Sequence, residues 1–167
     1  NIIYMLLAGG VFNVVLVPQL IKAARKPDQG ADYTSRLITL AVLVMAGATL
    51  VITVAAAPII QALTSGWSGP KLVLGTAFAL WTLPQIFFYG LYAVLGQVLN
   101  AHGRFGAYMW APVANNVVSI TVLLLYMLLP GELEETAPSG VVDPHVLLLG
   151  LGTTLGVIVQ AASMVPY

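Results

Sequence analysis

Cysteine is missing from this chain altogether, and charge is nearly so. Without cysteine there is no disulfide framework and no thiolate metal site. Charged residues make up 7% of the 167 residues, against about 25% in an ordinary soluble domain. A soluble chain this short cannot hide a 59% hydrophobic composition inside one core, so a bilayer is its natural solvent. The formal net charge is zero, which leaves no global basic field for nucleic acid. There is no glycine-rich nucleotide loop, no pair of carboxylates within an apolar run and no histidine pair at metal-binding spacing. The expectation is a protein that is not an enzyme and needs neither cofactor nor metal, with His102 and His145 as interfacial residues. Residues 1–20 lack the basic leader and small-residue cleavage pattern of a signal peptide. There is no initiating Met, and the apolar pattern runs on to Tyr167, so the chain reads as a piece of a longer one.

What the sequence does have is long apolar runs, over 2–21, 37–63, 72–99, 107–129 and 145–167. A helix needs about 20 apolar residues to cross the hydrocarbon, and none of these runs contains Asp, Glu, Lys or Arg. That is the pattern a bilayer demands, because each charge near its centre costs about 2.5–3.5 kcal/mol. The expected fold is all-α, a polytopic transmembrane helix bundle forming one partial transmembrane domain over 1–167 with no soluble domain. All the charges fall in the connections. Lys22, Arg25, Lys26, Arg36 and Arg104 lie on one side and Lys71 alone on the other. Positive residues favour the cytoplasm, which predicts loops 22–36 and 100–106 inside and loops 64–71 and 130–144 outside. The first run then crosses from outside to inside, which calls for a further span upstream. Glu132, Glu134, Glu135 and Asp143, with Pro130, Gly131 and Pro144, read as an irregular solvated outer connection.

Polar residues inside the runs recur at helical spacing. Gln85, Tyr89, Tyr92, Gly96 and Asn100 form one stripe; Pro112, Asn115, Asn116 and Ser119 form a second; Gly152, Gly156, Gln160 and Ser163 form a third. Asn13 is the polar residue of the first run. Such stripes turn either toward neighbouring helices, where each hydrogen bond contributes about 0.6 kcal/mol, or toward a wet central cavity. Pro84 removes a backbone hydrogen bond within its helix, and a neighbour, a water or a polar side chain must satisfy the freed carbonyl. Gly152 and Gly156 permit close helix approach.

Two stretches carry a resemblance. The first runs from Asn1 through Leu6, Gly10 and Phe12 to Val17, Pro18 and Leu20. The second runs from Gly96 through Leu99, Asn100, Arg104 and Phe105 to Ala111, Pro112 and Asn116. Together they resemble the MurJ/MviN family of lipid II flippases, within the superfamily of multidrug and oligosaccharide-lipid exporters. The resemblance implies a two-lobed transporter of which this chain is helices two to six, in the N-terminal lobe, in a bacterial cytoplasmic membrane. It implies lipid II as cargo, moved by alternating access for cell-wall synthesis. Membrane lipids, the rest of the same chain and cell-wall synthesis proteins are the implied partners. Tyr4 and Met5 stand where many members carry basic residues, so the pyrophosphate-binding arginines are expected outside this stretch. That feature, with the Val/Ala-rich style, is similar to actinobacterial members. Arg104 matches the family arginine, with an implied role at the headgroups or at the C-terminus of its preceding helix, where a cation suits the helix dipole. Two other readings are an exporter of a different polyprenyl-linked glycan or drug, and a non-transporting scaffold for cell-wall enzymes.

Overall fold

The computed structural model describes residues 17–24, 31–131 and 140–166. The described residues form helices α1 (Val17–Ala24), α2 (Ala31–Val54), α3 (Ala56–Leu63), α4 (Pro70–Thr82), α5 (Gln85–Ala101), α6 (Phe105–Leu128) and α7 (Pro144–Ala162), with a 3₁₀ turn at Gly140–Val142. Four helical stretches, Ala31–Val54, Pro70–Ala101, Phe105–Leu128 and Pro144–Ala162, are long and apolar enough to cross a membrane. Most of the first expected run, including Gly10 and Asn13, lies outside the described residues.

The helices overrun the charge-defined boundaries. Asp32 and Arg36, expected in a loop, sit on the opening turns of α2 and pair at 3.0 Å. A charge forbids hydrocarbon but not helix, so the helix continues past the point where the apolar run begins. Two expected single spans are broken helices. α2 gives way to α3 at Ala55, just ahead of Pro58, which has no N–H for the carbonyl of Val54. α4 gives way to α5 at Leu83–Pro84, where the chain closes with shorter bonds from Ile86 to Leu83 (3.0 Å) and from Phe87 to Pro84 (3.2 Å).

α7 is the centre of the bundle. Half of its membrane-length window is buried, against 6–11% in the other three. It packs on α6 most extensively and on α4 and α5 from the other side, while α2 lies beyond α5. Small residues make this possible. A Cβ on Gly152 would fall 2.5 Å from a methyl of Val122 on α6, and one on Gly156 would overlap the Asn115 amide. With no hydrophobic drive between helices in lipid, such close approach supplies the packing.

The connection 130–144 departs from its expectation at its described end. Asp143 is buried and caps α7, accepting from the backbone N–H of His145 at 2.8 Å. Its following residue, Pro144, is pre-set for a first helical turn. His145 is buried as well and meets the Tyr126 ring edge-on at 5.4 Å. The carbonyl of Val141 accepts from the Trp81 indole at 2.8 Å, which ties the 3₁₀ turn to α4.

Candidate functional site: a polar layer between α5, α6 and α7

The stretch from Gly96 to Asn116 is a helix stop, a turn and a helix start. Gly103 has φ +73°, its N–H reaches the Asn100 carbonyl at 3.1 Å, and the N–H of Arg104 reaches the Leu99 carbonyl at 2.8 Å. This is a Schellman cap. The last turn of α5 is therefore satisfied by the main chain of Gly103 and Arg104. Arg104 itself is the exposed N-cap residue of α6, and Phe105 follows as its first, exposed, residue.

Inside this corner α5 and α6 cross closely. A Cβ at Gly96 would overlap the Tyr108 ring. The Tyr92 ring stacks on that of Tyr108 with centroids 5.0 Å apart. Leu99, Ala111 and Met164 form the buried apolar cluster beneath them. Pro112 has no N–H to offer the Tyr108 carbonyl, its normal partner four residues back. The Tyr92 hydroxyl donates to that carbonyl at 3.3 Å. At the α4–α5 break the Thr154 hydroxyl of α7 donates to the Trp81 carbonyl at 2.7 Å, next to the Leu80 carbonyl that Pro84 leaves without its N–H partner. That carbonyl belongs to the last turn before the Leu83–Pro84 break. At Pro112 the freed carbonyl is thus matched by a hydroxyl on a neighbouring helix, as an interior without free water requires.

Above the tyrosines, the Asn115 amide donates to the Gln160 side-chain oxygen at 2.9 Å, and Ser119 donates to the Asn115 oxygen at 3.4 Å. Gln160 is 4% exposed. Of the residues singled out from the sequence, Tyr92, Asn115, Ser119 and Gln160 come together here, and Gly96 and Pro112 shape the backbone that lets them. Ser163 instead donates to the Gln160 backbone carbonyl. Asn100 is partly buried with its side-chain oxygen unpartnered among the described residues. Gln85 opens α5, partly buried, while Tyr89 and Asn116 are exposed. Asn116 does not share the buried face of Asn115, because adjacent helical residues diverge by about 100°. Pro18 is exposed on α1.

Four contributors escaped the sequence reading. Tyr108 could have been found as the residue four before Pro112. Thr154, Trp81 and the buried Gln97 left no signal, because which helix lies opposite a proline break is a tertiary fact. The groove between α6 and α7, about 660 Å³ and lined by Val122, Leu125, Leu147, Leu151, Leu155 and Ile158, is apolar and offers nothing to a polar headgroup. Among the described residues no cluster of His, Asp or Glu could hold a metal ion.

Long apolar helices, broken by prolines and cross-linked by amides and hydroxyls, define a multi-pass membrane protein. The family model of the lipid II flippase MurJ matches residues 1–167, and the chain belongs to that family. Its members are transporters of a peptidoglycan precursor and not enzymes. No solved structure matches the chain.

Proposed function

We propose that this chain forms part of the N-terminal lobe of a flippase that carries lipid II across the bacterial cytoplasmic membrane by alternating access. The observation that carries the reading is the family match along the entire chain. The physical task is to move a large polar, anionic head through about 30 Å of hydrocarbon while the polyprenyl tail stays in lipid. Rocking of one lobe against the other around a hydrated centre accomplishes this. The polar layer fits a lobe that moves as a unit. Its hydrogen bonds hold α5, α6 and α7 together, and the breaks at Ala55 and Leu83–Pro84 are places where helix halves can tilt. Asn115, Gln160 and Tyr92 serve as inter-helix bonds, and the pyrophosphate contacts come from other parts of the transporter. In this reading loops 22–36 and 100–106 are cytoplasmic and loops 64–71 and 130–144 face outward.

The test is depletion of the full-length transporter in cells that hold no second flippase. Lipid II should then accumulate on the cytoplasmic leaflet, inaccessible to an externally added lipid II-degrading enzyme. Continued outward appearance of lipid II under depletion would refute the assignment.

A further inference from the structure

The exposed surface of the bundle is not uniform. On α2, Leu40, Leu43, Val44, Leu50, Val51 and Val54 are all well exposed, a surface that hydrocarbon can cover without cost. The flank of α6 is different. Asn115 is partly buried and bonded, Ser119 is partly buried and bonded to it, and Asn116 is exposed. At about 100° per residue Ser119 lies between the two asparagines around the helix, so polarity continues from the interior out onto the surface. α5 repeats the pattern. Tyr92 is partly buried against Tyr108, and Tyr89, on the same stripe, is 46% exposed. The stacked Tyr92 and Tyr108 rings bring the two stripes to one side of the bundle, since Tyr108 lies on the Asn115–Ser119 flank of α6.

An asparagine amide has two donors and an oxygen acceptor, and a hydrocarbon neighbour satisfies none of them. We propose that the α5–α6 flank bearing Tyr89, Ser119 and Asn116 lines the hydrated path of the transporter, with Asn116 at its edge. Beyond Asn116 the exposed Met109, Val113 and Val117 return the surface of α6 to apolar character. The inference rests on the flippase reading and adds the part of the cargo this flank meets. No charged residue lies within α5 or α6. Neutral hydroxyls and amides suit the sugar hydroxyls and amide groups of the head and not its pyrophosphate.

The absence of cysteine from this chain makes the test direct. Single cysteines replace Asn116, Ser119, Tyr89, Val44 and Val51 in an otherwise cysteine-free full-length transporter. They are exposed to a charged, membrane-impermeant methanethiosulfonate from both membrane faces, with and without excess purified lipid II. Cysteines at 116 and 89 should react at least about tenfold faster than those at 44 and 51, because the reacting thiolate forms only where water reaches it. Lipid II should slow the reaction at 116 and 119 and leave that at 44 and 51 unchanged. Ser119→Cys, nearly isosteric, stands in if Asn116→Cys fails to accumulate, and is expected to follow the same pattern. Reaction at 116 and 119 as slow as at 44 would overturn the inference, as would undiminished labelling under lipid II while transport is intact. Loss of the flippase reading would appear separately, as absent lipid II transport by the cysteine-free parent with the labelling contrast retained.

Discussion

Asn115 shows how a single side chain can hold two membrane helices together. Its amide is bonded to Gln160, and removing it strands a buried partner. Asn115→Leu should destabilise the purified transporter by about 1–2 kcal/mol, read as a lowered midpoint in SDS-induced unfolding. Gln160→Leu added on top should recover part of the loss, because no orphan amide then remains. Gly152 makes the opposite kind of contact, defined by what is missing. Gly152→Ala forces a methyl into Val122 and should cost about 1–3 kcal/mol. Val122→Ala should relieve it, and an equal loss in the single and double variants would rule out this contact as the cause.

Among the elements, the informative feature is the pairing of the Pro112 break with a hydroxyl on the neighbouring helix. Tyr92→Phe leaves the Tyr108 carbonyl without its donor and should cost about 1 kcal/mol. In a Pro112→Ala background residue 112 regains an N–H aimed at that same carbonyl, so the Tyr92→Phe penalty should shrink. A double-mutant cycle in detergent measures this, and strict additivity would mean the two groups do not share the carbonyl. The sequence makes one half of the pairing readable, since Pro112 announces that the carbonyl four residues back has been freed. It is silent on the other half. Tyr92 lies on another helix, 16 positions from Tyr108, and no local pattern connects them. The two asparagines illustrate the same limit. Helical spacing placed Asn115 and Asn116 on one stripe, whereas packing on α7 buries the first and leaves the second at the surface.

For the molecule as a whole, α7 is the element on which the bundle depends, packed against α4, α5 and α6 at once. Sidedness is the remaining whole-molecule property, and it can be measured on exposed connections. A cysteine at Ser65 should be labelled by an impermeant maleimide added outside intact cells, and one at His102 only after the membrane is opened. The reverse pattern would invert the orientation read from Lys22, Arg25, Lys26, Arg36 and Arg104.

Composition and the spacing of charge determine on their own that this chain is a bundle of apolar helices in a membrane. A charge in hydrocarbon is costly enough to be excluded from every run, and that exclusion is visible residue by residue. The helix-stop geometry at Gly103 is likewise a local requirement carried by local residues. Tertiary structure alone decided that Asp143 and His145 are buried, that α7 is central, and which polar residues meet. Those outcomes depend on which helix faces which, and in lipid that choice follows from small differences in fit between many apolar surfaces.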